Sequence, residues 1–128
     1  MRLWHQDLLP LLPRQQLLGQ HRECCALRGK GWGKPHSVVN YVFGHPLSTL
    51  EDYHGLVMRE MERRGYEVSM LWRVRGYRGK NLSDQVLYGR VRIEFIAPKE
   101  GKVYQEHDEN YLQECIENLR SKGIELAA

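Results

Sequence analysis

Residues Ser48 to Tyr66 read STLEDYHGLVMREMERRGY. Leu50, Tyr53, Val57 and Met61 recur at spacings of three and four, which sets them on one face of an α-helix. Ser48-Thr49-Leu50-Glu51 has the form of a capping box, in which the Ser hydroxyl and the Glu carboxylate satisfy free N–H groups reciprocally. Arg63-Arg64-Gly65-Tyr66 brings cations to the negative end and a glycine suited to a left-handed cap. This stretch therefore predicts an amphipathic helix with both ends marked.

Two more helices flank it. In Arg14–Gly29 (RQQLLGQHRECCALRG), Leu17, Leu18, His21, Cys24, Cys25 and Leu27 share one arc at about 100° per residue, and Gly29 is placed to end it. A third helix is expected to start near Asp108, to bury Tyr111, Leu112, Cys115, Ile116 and Leu119, and to stop at Gly123. SVVNYVF and QVLYGRVRIEFI, residues 37–43 and 85–96, are rich in β-branched and aromatic residues. In the second, Val91, Ile93 and Phe95 alternate with Arg90, Arg92 and Glu94. The fold expected is mainly α, a compact three-helix domain with an N-terminal arm and a small β element over 37–43 and 85–96. At 128 residues, with no repeat or linker, the chain reads as a single domain.

Composition narrows the partners. The net charge is +3, but it is unevenly spread. Residues 1–48 hold six Lys/Arg and two acids, 49–80 hold seven and five, and 81–128 hold six and nine. A basic N-terminal half suits a phosphate-rich partner. No run approaches the ~20 apolar residues of a membrane span, and His5, Gln6, Asp7, Pro10 and Pro13 interrupt the opening apolar stretch. A cytoplasmic protein with no membrane partner is expected, and three cysteines form no disulfide framework.

His21, Cys24, Cys25 and His36 raise the question of a metal. Adjacent helical cysteines point about 100° apart, and the second ligand pair of a structural zinc site is missing. The thiols are read as small buried hydrophobes, with no metal and no cofactor. The loops Arg28–His36 and Arg73–Lys80 are basic and rich in glycine. Lys30, Trp32 and Lys34, with Arg73, Arg75, Tyr77, Arg78 and Lys80, interleave cations with aromatics, a pattern suited to gripping a nucleic-acid backbone. Arg22-Glu23 sets a carboxylate at the edge of the apolar arc of the first helix.

Leu17-Leu18-Gly19-Gln20-His21-Arg22-Glu23 resembles the first-helix signature of the phage-type pyrimidine-dimer DNA glycosylase and lyase family, often called endonuclease V. Leu56–Tyr66 (LVMREMERRGY) is similar to its second helix, and Tyr111–Lys122 (YLQECIENLRSK) to its third. The opening Met-Arg-Leu-Trp is similar to that of bacterial relatives. The resemblance implies that an N-terminal α-amine attacks C1′ of a damaged nucleotide, expels the base and forms an imine that permits β-elimination. Met1 would supply the amine and Glu23 the acid and base. An α-amine suits the task, since its pKa of ~7.7–8.0 lies well below lysine's ~10.4. Arg2, Arg22 and Arg28 would bind phosphates flanking the lesion, by resemblance and by their bidentate geometry. The implied partner is double-stranded DNA carrying a damaged pyrimidine or an abasic site, bound by a monomer. The rival reading is a non-catalytic nucleic-acid-binding module on the same scaffold.

Overall fold

A computed structural model of the chain describes residues 2–35, 40–80 and 93–126. It is mainly helical, with α1 at Arg14–Arg28, α2 at Leu47–Arg63 and α3 at Glu109–Ser121. Short 3-10 segments occupy Gln6–Leu11, Asn40–Gly44 and Met70–Arg73. α1 packs on α2, and the Gln6–Leu11 segment packs on α2 as well. Leu17 and Cys24 of α1, Leu50, Tyr53 and Val57 of α2, and Cys115 and Leu119 of α3 meet in one core with no exposed surface. Among the described residues no helix is long and apolar enough to cross a membrane.

The ends of α2 separate two kinds of sequence signal. Its C-terminus is built as Arg63-Arg64-Gly65-Tyr66 predicts. Gly65 takes φ +85°, its N–H donates to the Glu62 carbonyl at 2.9 Å, and the Tyr66 N–H donates to that of Met61 at 2.9 Å. This is the paired closure of a Schellman cap. The N-terminus departs from the capping-box expectation. The helix begins at Leu47 behind an extended Pro46, with no side-chain cap. Ser48 lies inside the first turn, and the Glu51 carboxylate accepts from the Gly76 N–H at 2.7 Å and from Arg75 at 3.2 Å. A buried carboxylate with a cation and a peptide N–H in reach has stronger partners than the helix end.

At α3 the expected start holds, because the Asp108 carboxylate accepts from the Tyr111 N–H at 2.9 Å. The β element does not hold where it can be seen. Asn40–Gly44 forms a 3-10 turn, and residues 37–39 and 85–92 lie outside the described residues. Phe95 makes only an isolated antiparallel bridge to Val74. The bridge is closed by the Arg75 N–H on the Glu94 carbonyl and the Ile96 N–H on the Arg73 carbonyl, each at 2.7 Å.

Gly65→Ala forces a side chain into a left-handed position with no atom within 4 Å of its Cβ, so the cost is conformational rather than steric. It is expected to lower the free energy of unfolding by about 1 kcal/mol, read as a fall in the denaturant midpoint at unchanged slope.

Candidate active site

The N-terminal arm is buried without regular secondary structure: Leu3 is fully enclosed, and Trp4 and His5 are each 5% exposed. Buried peptide groups must be paired, and side chains from all three helices do this. The Gln20 amide of α1 donates to the Arg2 carbonyl at 3.1 Å and accepts from the Trp4 N–H at 2.5 Å. Tyr53 of α2 donates to the Trp4 carbonyl at 2.6 Å and also lies 2.9 Å from Gln20 Oε1. Tyr111 of α3 donates to the Leu3 carbonyl at 2.5 Å. His107 completes the set. Its Nδ1 accepts from the Gln6 N–H at 3.3 Å, so the ring proton sits on Nε2 and points at the Tyr41 hydroxyl, 2.6 Å away. Burial, then His5 and Lys102, push the His107 ring down to about 3, and it stays neutral.

Glu23 lies three residues beyond Gln20 on α1. It is half-buried and, among the described residues, has no hydrogen-bond or ion-pair partner. Met1, expected to carry the nucleophilic amine, lies outside the described residues, as does His36. Of the expected phosphate ligands, Arg22, Lys30, Lys34 and Lys80 are exposed. Trp32 is half-buried with its ring edge-on to Phe43 at 5.4 Å. Arg2 reaches Glu114 at 3.4 Å and lies over the rings of Trp4 and Tyr111.

The remaining expected ligands are engaged inside the protein. Arg73 pairs with Glu62. Arg75 pairs with Glu51 at 3.2 Å and Asp52 at 3.0 Å. Arg78 donates to the carbonyls of Arg28 and Gly29. Arg28 is the clearest correction, because its side chain has no exposed surface to offer a phosphate. It donates to the carbonyls of Trp72, Val74 and Tyr77 at 2.7, 3.2 and 2.8 Å, with Glu51 3.7 Å away. An arginine on an apolar arc is more readily held by carbonyls inside than turned outward.

Arg28 also fixes the chemistry of its neighbours. It reaches His54 Nδ1 at 3.0 Å, and His54 Nε2 lies 2.8 Å from His21 Nδ1. Cys25, rather than Cys24, approaches both rings, at 3.8 and 4.0 Å. His21, Cys25 and His54 could be taken for three metal ligands, since their donor atoms lie within 4.8 Å of one another. A ligating histidine turns its second ring nitrogen, as N–H, toward an acceptor. His54 Nδ1 instead faces a guanidinium donor, so its proton belongs on Nε2, the atom a metal would need. Burial first, then Arg28 and His21, hold His54 well below the ordinary imidazole range. Burial raises the Cys25 thiol to about 11. These groups form a hydrogen-bonded link between α1 and α2 rather than a fitted cation site.

Gln20 and His54 are the positions missed in the sequence. Gln20 is 1% exposed, and the available signal was a polar residue on the buried arc shared by Leu17, Cys24 and Leu27. A groove of about 990 Å³ is lined by residues such as Gln6, Arg59, Glu60 and Lys99 and holds none of the expected site residues.

Residues 1–74 match the family described as pyrimidine dimer DNA glycosylase. The match spans more than half of the chain, and the protein belongs to that family. Its class is thus a DNA-repair glycosylase, with DNA as substrate. No curated protein and no solved structure matches the chain significantly. The matched span includes Gln20, Glu23, Arg28 and Tyr53, and stops short of Tyr111.

Arg28→Ala strands three carbonyls and leaves the buried Glu51 carboxylate to Arg75 and the Gly76 N–H alone. Denaturant unfolding is expected to show a loss of about 3–5 kcal/mol, while the slope of DNA affinity against salt stays that of the wild type. Acid is expected to destabilise the protein through His54 and His107. Their folded pKa values are depressed, so below about pH 6.5 the unfolded chain takes up protons that the folded chain refuses. Stability fully present above that pH falls by about 1.4 kcal/mol per pH unit for each ring. For His107 the loss continues down to about pH 3. Urea unfolding at pH 7 and pH 5 checks this, and equal midpoints would contradict it.

Proposed function

We propose that the protein excises damaged pyrimidines from double-stranded DNA as a monomer and cleaves the resulting abasic site. The α-amine of Met1 attacks C1′, and the base departs with the electrons of the glycosidic bond. Loss of a proton from nitrogen and opening of the sugar ring give a cationic imine, which acidifies C2′ so that the 3′ phosphate leaves by β-elimination. Glu23 carries protons during ring opening and stabilises the imine cation. The amine supplies the nucleophile, so the reaction draws on no metal or cofactor.

The observation that carries this reading is the hold of Gln20 on the main chain of residues 2–4, with Glu23 three residues on. Two residues span about 7 Å at most, so the amine of Met1 stays within that reach of the Arg2 carbonyl. Three residues, a rise of about 4.5 Å, separate Gln20 from Glu23 along α1. Arg22, Lys30, Lys34 and Lys80 supply exposed charge for the phosphates, with Trp32 beside them. Arg2 joins them by exchanging an exposed partner, since Glu114 is 63% exposed and such pairs contribute only about 0–1 kcal/mol. Arg28, Arg73, Arg75 and Arg78 shape the loop behind the site.

With intact mass showing a free Met1 amine, borohydride and an abasic-site duplex are expected to trap a covalent complex. Glu23→Gln should slow the lyase step by about a hundredfold or more while DNA affinity changes less than twofold. An N-terminal extension should abolish trapping and leave binding in place. A complex trapped by the extended protein, or none by the free-amine protein, overturns the amine mechanism. Intact binding without any adduct is the behaviour of the non-catalytic module.

A further inference from the structure

We propose that Gln20, together with Tyr53 and Tyr111, positions the nucleophile: these side chains hold residues 2–4 and thereby limit where an α-amine one residue further on can reach. The inference rests on the amine mechanism above and names the residues that make it work.

Gln20 acts on the arm as a neighbouring strand would. Its carbonyl oxygen takes the Trp4 N–H and its NH2 gives to the Arg2 carbonyl, the two groups that flank Leu3. A parallel β-partner bonds the groups on either side of one residue in the same way. Only an uncharged amide of this length can do both, because a carboxylate lacks the donor and a thioether lacks donor and acceptor. The Trp4 N–H and the Arg2 carbonyl fix the amide's orientation, and the one Tyr53 hydroxyl proton lies between the Trp4 carbonyl and Gln20 Oε1, steadying both. Tyr111 adds a third hold at the Leu3 carbonyl and comes from a different helix.

The hold lies one residue from the reacting amine. Free rotation there would leave the amine to search the approach to C1′, and a misplacement of about 1 Å costs about a hundredfold in rate. Gln20 and Tyr53 have no exposed path to DNA, being 1% and 0% exposed, so an effect of either on chemistry has to pass through the arm.

Single-turnover trapping on an abasic duplex separates positioning from folding. A folding defect lowers the amplitude, that is, the active fraction. A positioning defect lowers the rate constant at full amplitude. Gln20→Met is expected to cut the rate constant about a hundredfold, with amplitude and DNA affinity within twofold of wild type and the pH midpoint unmoved. Tyr111→Phe, which removes one hydroxyl and leaves the Gln20 hold intact, is expected to cut it about tenfold. Gly65→Ala, destabilised at a distance, keeps the wild-type rate constant. Should Gln20→Met fail to fold, Tyr111→Phe is read by the same criteria. Wild-type rate constants in the folded variants, or losses confined to amplitude or affinity, overturn the positioning role. A wild-type protein that forms no adduct overturns the amine mechanism and this role with it.

Discussion

Residues 3–5 run through the interior as an irregular segment for which the described residues provide no strand partner. Each peptide group left unpaired there would cost about 1–3 kcal/mol, so the pairing must come from side chains. Gln20, Tyr53, Tyr111 and His107 supply it from four separate parts of the chain. The dependence is mutual. The arm keeps its place because those groups hold it, and α1, α2 and α3 are tied to one another because they hold the same arm. Gln6 repeats the device, with its side chain donating to the Gly101 carbonyl at 2.8 Å and accepting from the Val103 N–H at 2.7 Å. Two glutamines thus do in this protein what a sheet would do elsewhere.

The second constraint is the distribution of positive charge. Arg28 brings a full charge into the core, where it is tolerable only with several acceptors around it. Three carbonyls from residues 72–77 and the Glu51 carboxylate meet that need. The loop after α2 therefore folds around Arg28, and Arg75 and Arg78 close it from the other side. Much of the basic character of the sequence is structural in consequence. Within the two loops and the Arg22 turn, the charge left open to solvent is that of Arg22, Lys30, Lys34 and Lys80, fewer cations than the sequence of those segments suggests.

Legibility followed the range of the interactions. Helix periodicity, the Gly65 closure and the Asp108 cap are local, and each reads correctly from a few consecutive residues. The Ser48 capping box is also local, and it failed because Glu51 has partners some 25 residues away that no local pattern contains. The same limit applied to charge. Arg28 and Arg75 look like surface cations until tertiary contacts place carbonyls and carboxylates around them. The proposed acid/base, Glu23, was marked in the sequence by its neighbour Arg22 and by the likeness to the family signature. Gln20 was not, because its role depends on the buried course of an arm that pattern alone marks only as apolar.

These constraints explain why one turn of α1 can carry so many functions at once. Gln20, Arg22 and Glu23 project at different angles from the same turn. Gln20 points into the core and is enclosed, Arg22 stands in solvent, and Glu23 lies between them at the boundary. A carboxylate at such a boundary is shielded enough for its field to act at short range, yet open to a substrate. The pitch of the helix sets its separation from Gln20. The Gln20 hold ties the Arg2–Trp4 segment to that same turn. The proposed acid/base and the anchor of the proposed nucleophile are therefore fixed on one rigid element, which is how preorganisation is best kept. A terminus borne on a free arm would have to be ordered anew with each substrate. With residues 2–4 held by the helices, the arm that carries it is ordered once, by folding.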